Sequence, residues 1–170
     1  NTRRIAKELQ CSTQPIYHNF DTVEQLRSEV LRRSYSIYVS YMRKGGEETS
    51  AYLGMGMAYI RFAMDYPNFF KALFMAESGM SPMDFIKNDD MGNNVLQKGR
   101  LFSGLTDAQQ EQFHLKVWIF THGLAVLAAN HTVRLTYQEI EALLASTAKE
   151  MLAGFQYIHK QEEETSGTCN

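Results

Sequence analysis

The chain has 170 residues, 44% of them hydrophobic, with three prolines and two cysteines. That length and apolar content suit one domain, or one domain with a small companion, and a sizeable core; no uninterrupted apolar run is long enough for a transmembrane helix, and no Cys/His cluster has metal-ligand spacing. The net charge of −2 argues against a nucleic-acid partner until it is divided: residues 1–44 hold eight Lys/Arg against four Asp/Glu, and residues 45–170 hold nine against fifteen, so the basic excess sits at the front, where local phosphate neutralisation would need it.

The first predicted helix runs from Arg3 to Leu9, with Thr2 as its N-cap and Ile5, Ala6 and Leu9 on one face. Gln10-Cys11-Ser12 is a turn. The Ser12 hydroxyl caps the next helix, and Pro15 falls in its first turn, where backbone N–H groups lack intrahelical partners. Ile16 and Phe20 pack down, which leaves Thr13, Gln14, Tyr17, His18 and Asn19 facing outward. Thr22 caps a long helix to Lys44, with Gln25 in the capping-box position. Leu26, Val30 and Leu31 begin its apolar stripe, Tyr35, Tyr38 and Tyr41 or Met42 continue it, and Gly45-Gly46 ends it. Two short helices and a tight turn, the second helix polar on its open side, are the layout of a DNA-groove reader.

Further along, the spacing predicts helices over residues 48–66 and 67–76, with a loop from Ser78 to Ser81. From Met83 to Phe102 the helical signal is interrupted by Asn88-Asp89-Asp90 and Gly92-Asn93-Asn94, so an irregular or mobile stretch is expected. Thr106-x-x-Gln109 and Thr136-x-x-Glu139 match the capping box and open two long helices, to about Asn130 and about His159. Phe113, Val117, Phe120, Leu124 and Leu127 form the stripe of the first; Ile140, Leu144, Met151, Phe155 and Ile158 form that of the second. The acidic, Ser/Thr-containing tail over 161–170 reads as disordered. The fold class is all-α: a helix-turn-helix segment with its connecting helix over 1–44, then a helical body over 45–160.

Ile5 through Leu26 contains the pattern I-A-K-E-L-x-x-S-T-x-x-x-Y-x-x-F-x-x-x-E-x-L, which resembles the DNA-binding segment of the TetR-type one-component regulators. Tyr59-Ile60-Arg61-Phe62-Ala63 with Tyr66-Pro67, and Trp118 with Thr121-His122-Gly123-Leu124-Ala125, resemble that family's ligand-binding and dimerisation region. Three departures stand out. The family's domain opens with a helix ahead of Arg3, so a preceding stretch is expected to have been cut away or to be disordered. Family members place Gly at the position of Gln10, where a positive φ is wanted, and Lys at the position of Val23. Cys11 occupies a position usually held by a small apolar residue, so a half-buried free thiol is expected there; with Cys169 in the polar tail, the two are not partners and suit a reducing cytoplasm.

Three groups of candidate residues follow. For DNA, they are Thr2, Arg3, Thr13, Gln14, Tyr17, His18 and Asn19. Gln and Asn can pair with adenine edges and Thr can meet a thymine methyl; the resemblance implies phosphate contacts for Tyr17 and Thr2, and base or backbone contacts for Arg3. For a small-molecule effector, they are Tyr59, Phe62, Phe74, Met75, Trp118 and His122, with Phe69, Phe70 and Met83 nearby, large and polarisable groups of the kind that line apolar cavities. For a homodimer interface, they are Leu124, Leu127, Ala128, Leu144, Met151 and Phe155, with Gly123, Ala125 and Ala129 offering a smooth surface; the resemblance implies a four-helix bundle across a two-fold axis.

The Asp89-Asp90 carboxylates and the Glu162-Glu163-Glu164 run need no chemistry, and His114, His131 and His159 read as surface. No nucleophile lies beside a base and no Gly-rich phosphate loop is present, so an enzyme is not expected. The expected protein is a cytoplasmic, cofactor-free, homodimeric repressor, released from a pseudo-palindromic double-stranded operator by a small apolar effector. The alternatives are an activator of the same family and a helical interaction module that does not bind DNA.

Overall fold

A computed structural model describes the chain apart from residues 49, 77–86, 99–101, 103 and 168–170, and its side chains as far as residue 158. The described residues are all-α: α1 (Thr2–Glu8), α2 (Gln14–Asn19), α3 (Val23–Gly46), α4 (Ala51–Asp65), α5 (Pro67–Phe74), α6 (Asp90–Lys98), α7 (Asp107–Ala129) and α8 (Tyr137–Gly167). Among them, no helix is long and apolar enough to cross a membrane. The expected loop over Ser78–Ser81 and the helix start at Met83 lie outside the described residues.

Local chemistry sets most of the boundaries. Thr22 Oγ1 accepts from Gln25 N at 3.0 Å, while the Gln25 amide oxygen accepts from Asp21 N at 2.7 Å, one residue earlier than a simple capping box places it. Thr106 and Gln109 form the full reciprocal box, and Thr136 and Glu139 do the same. The α1 N-cap is Asn1, whose side chain accepts from Arg3 N at 3.0 Å. Thr2 was expected in that role; it lies inside the helix and is buried.

The core has two parts. In the larger, Tyr38 and Met42 of α3 meet Met55, Tyr59, Phe62 and Ala63 of α4, Phe70 of α5, Leu124 and Ala125 of α7, and Ile140 and Leu144 of α8. In the smaller, Leu96, Phe102, Phe113 and Val117 are flanked by Tyr52, Met151, Leu152 and Phe155. Residues of α1 and α2 belong to neither. Ile5, Leu9, Val23 and Val30 are exposed, so the early stripe of α3 is filled only by half-buried Leu26 and Leu31.

Gly45 and Gly46 end the long helix as expected, being its last two residues. Gly45 serves a helix crossing, since a Cβ there would lie 2.4 Å from the Gly54 carbonyl oxygen, and one on Gly54 would lie 2.3 Å from the Gly45 carbonyl oxygen. The stretch around Asp89 is not irregular throughout, because it contains α6. Asp89 acts as a helix-start residue rather than a breaker, its Oδ1 accepting from Gly92 N at 3.0 Å. Finally, α8 continues to Gly167 through the segment expected to be disordered. Gln and Glu are good helix formers, and a helix already nucleated by packing extends through them at little cost.

Candidate nucleic-acid interface and interior chamber

The turn between α1 and α2 is built by backbone bonds. Cys11 N donates to Ala6 O at 2.9 Å and Gln10 N donates to Lys7 O at 3.1 Å, a Schellman closure with Gln10 at φ +52°. This is the position at which a glycine was expected, and the left-handed conformation is the reason. Ser12 Oγ accepts from Gln14 N at 3.3 Å, and Pro15 lies in the first turn of α2. Thr2 Oγ1 and Tyr17 OH are 3.1 Å apart, which ties the two short helices together through their side chains.

Of the seven residues assigned to DNA, Arg3, Gln14, Tyr17, His18 and Asn19 are exposed and Thr13 is half-buried. Thr2 is 8% exposed, so it holds Tyr17 in place and presents little surface of its own. Asn19 Nδ2 donates to Pro15 O at 2.7 Å, leaving its second N–H and its amide oxygen open. Arg3, Arg4, Lys7 and Arg27 add exposed positive charge. Arg32 and Arg33 are engaged on Glu29, each at 2.7 Å, and their hydrogen bonds hold its carboxyl down to about 2. Cys11 is a free thiol, exposed rather than half-buried, because the turn that uses its N–H leaves its side chain outside.

The body contains a small chamber of about 60 Å³, walled by α3 (Tyr38, Met42), α4 (Tyr52, Met55, Gly56, Tyr59), the α6 start (Asp89, Gly92) and α7 (His114, Val117, Trp118, Thr121). Beside it runs a cleft of about 900 Å³, lined by apolar residues of α4, α6, α7 and α8, which shares Tyr52, Gly56, Val117 and Thr121 with the chamber. Of the six residues assigned to an effector, Tyr59 and Trp118 reach the chamber. Tyr59 OH pairs with His122 Nδ1 at 2.9 Å, and Trp118 stacks on the His122 ring with centroids 5.2 Å apart. Burial pushes the His122 imidazole below its ordinary range. Burial drives the Tyr59 phenol upward, helped by the neighbouring Tyr38 and Asp89.

Phe62, with no exposed surface, and Phe74 are core packing in the ring cluster around Tyr38. Met75 is 48% exposed and lines neither space. Met83 lies outside the described residues.

The sequence reading missed the polar end of the chamber. His114, taken for a surface residue, is 5% exposed. Its Nε2 is 3.4 Å from Asp89 Oδ2 and its Nδ1 is 3.4 Å from Asn93 Oδ1. Burial alone would raise the Asp89 carboxyl; the His114 ring and the backbone N–H groups of Gly92 and Met91 outweigh it and hold it below the usual range. Gly92 is needed here, because a Cβ would stand 2.4 Å from His114 Cε1. A signal for this was present: His114, Val117, Trp118 and Thr121 share one helical face.

The interface candidates divide. Leu124 and Leu144 are 8% and 3% exposed within the single chain, and Ala125 and Ala129 are also buried, so these four are spent on the monomer core and are withdrawn from the interface. Ala128, Met151 and Phe155 are half-buried. Leu127 remains open, and with Ile119 and exposed Gly123 it forms an outer line on α7 at four-residue spacing. Leu143, Tyr157 and Ile158 are exposed on α8. His131 is exposed at a helix C-terminus with φ +54°, and the side chain of His159 lies outside the described residues. Compared with known proteins, the chain matches no protein-family model, no curated protein and no solved structure.

Proposed function

We propose that this chain is a ligand-responsive, DNA-binding transcriptional regulator of the TetR type, acting in the cytoplasm as a homodimeric repressor. The observation that carries the reading is the front segment. Two short helices are locked by a Schellman turn with Gln10 in the left-handed region and by the Thr2–Tyr17 bond, while Gln14, Tyr17, His18 and Asn19 stand open on α2 beside exposed Arg3, Arg4 and Lys7.

A helix of this size presenting Gln and Asn fits a major groove. One such helix makes few contacts, so two are needed, related by a two-fold axis and set about one helical turn of DNA apart. The exposed apolar residues of α7 and α8 supply the surface for that pairing. The chamber and cleft supply the effector site, and α3 joins them to the head, since Tyr38 and Met42 belong to the chamber wall.

The test is a gel shift with the purified protein and duplex fragments from upstream of its own gene, at several salt concentrations. The expected result is a discrete complex whose log K falls linearly with log salt, by about 0.9 per phosphate neutralised. No complex with any fragment at modest salt would overturn the reading.

A further inference from the structure

We infer that the chamber receives the positively charged head of an amphiphilic organic monocation, of the alkylammonium class, whose hydrocarbon body lies in the adjoining cleft. The inference rests on the reading of the body as an effector site and narrows the effector to one charge class. At roughly 10–15 Å³ per water-sized group, the space of about 60 Å³ holds a unit as large as a trimethylammonium head. Its wall carries the rings of Tyr38, Tyr52, Tyr59 and Trp118, whose π-faces attract a cation, most strongly when water is excluded.

The one carboxylate among the wall residues is Asp89, and no Lys or Arg is among them. Its carboxylate is held by the backbone N–H groups of Gly92 and Met91, which are neutral donors, and its ionisable partner is His114 at 3.4 Å, longer than a good charge-assisted bond. With one carboxylate and no Lys or Arg in its wall, the chamber favours a cation, tolerates a neutral group and repels an anion.

The cleft orients the guest. Lys98 and Lys149 are the charged residues in its wall, and both are exposed. They repel a cation from the cleft, while Asp89 attracts it to the chamber wall. Four residues line both spaces, so the two adjoin along a common wall, and a head in one lies within reach of a tail in the other.

The experiment uses the intact protein and three ligands with one tail: decyltrimethylammonium, decanol and decanoate, each below its micellar concentration. Quenching of Trp118, the single tryptophan, reports on the chamber itself. The expected result is at least tenfold tighter binding of the ammonium than of either counterpart. In Asp89→Asn that preference disappears while decanol affinity stays, which also shows that the variant is folded. Should Asp89→Asn fail to fold, Tyr52→Leu is expected to reduce the preference at least threefold. Equal or tighter binding of decanol or decanoate, a preference that survives both substitutions, or no quenching by any of the three would overturn the inference. A gel shift on the same preparation separates the two readings. DNA binding without ammonium binding removes this inference alone, and ammonium binding without DNA binding removes the regulator.

Discussion

Replacing Gly45 by alanine tests the packing that anchors the long helix. The added methyl would sit 2.4 Å from the Gly54 carbonyl oxygen and 2.8 Å from Ala58 Cβ. A carbon–oxygen contact relaxes at about 3.3 Å and a carbon–carbon contact at about 3.5–4.0 Å, so α3 and α4 must part by nearly an ångström. The obstacle is backbone, which cannot rotate aside. Overpacking of this kind costs about 1–3 kcal/mol, and alanine's better helix propensity returns up to about 1 kcal/mol. A net loss of about 1–2 kcal/mol is expected, lowering Tm by about 2–4 °C per kcal/mol in a chain of this size. The neighbouring Gly46→Ala is the control. Its methyl meets Met55 Cγ and Sδ at 3.8 Å, ordinary contacts, so it is expected to be neutral or to gain up to about 1 kcal/mol. Thermal and urea unfolding of the two variants decide the matter. If Gly45→Ala is as stable as Gly46→Ala, the close crossing does not exist.

Further outcomes follow from single residues. Gln10→Gly relieves a left-handed glutamine that costs about 1–2 kcal/mol, partly offset by glycine's unfolded-state entropy; a gain of up to about 1 kcal/mol in urea unfolding is expected, and a loss would show that the turn does not hold this conformation. His122 has a depressed folded-state value, so the unfolded chain takes up the proton first. Its contribution to stability is therefore complete above the ordinary 6.5 and is lost as pH falls through the lower folded value. His122→Asn is expected to flatten that part of the melting profile, and an unchanged profile would mean that the ring is solvated. On the regulatory reading, Gln14→Ala relaxes base preference by about 1–3 kcal/mol at one operator position, whereas removal of a phosphate contact in Tyr17→Phe weakens binding alike on all sequences. Competition gel shifts with operator variants distinguish the two patterns.

The elements governed by local chemistry were legible beforehand. The three Thr caps, the Pro15 and Pro67 helix starts and the two long closing helices follow from side chains that bond to their own backbone. So does the turn at Gln10, where a missing glycine already pointed to a positive φ. The errors share another cause, because each depends on a partner distant in the chain. That Gly45 also makes a close helix crossing is invisible unless Gly54 is known to lie against it. Asp89 and Gly92 read as loop residues unless the His114 ring is known to fill the space above them. Leu124 and Leu144 sit on apolar stripes that suit an interface and a core equally, and only burial in the single chain assigns them to the core. Of the six residues assigned to an effector, only Tyr59 and Trp118 line the chamber, for the same reason: the aromatic content of α4 and α7 was visible, but not which rings face a space and which face one another.

The geometry of α3 bears on how an effector would act. The helix is clamped at Gly45 against Gly54, contributes Tyr38 to the chamber wall, and begins at Val23, just after α2. At about 1.5 Å per residue, Tyr38 lies about 10 Å from the clamp and Val23 about 33 Å from it. A rigid rod pivoting at the crossing therefore turns a displacement of about 1 Å at Tyr38 into about 3 Å at Val23, and into about 6 Å between the heads of a symmetric pair. On the regulatory reading, against a half-site separation of about 34 Å, that would prevent both heads from docking together. Filling the chamber without any ligand should do the same. Gly56 lines both chamber and cleft, and a Cβ there would lie 3.5 Å from Leu144 Cδ1 and 3.9 Å from Thr121 Cγ2, so Gly56→Leu adds its remaining carbons at the wall common to the two. On the regulatory reading this variant binds the operator at least fivefold more weakly with no effector present, while Gln14, Tyr17 and the rest of the head are untouched. Operator affinity within twofold of the parent, in a variant that melts normally, would break the proposed link between the chamber and the head.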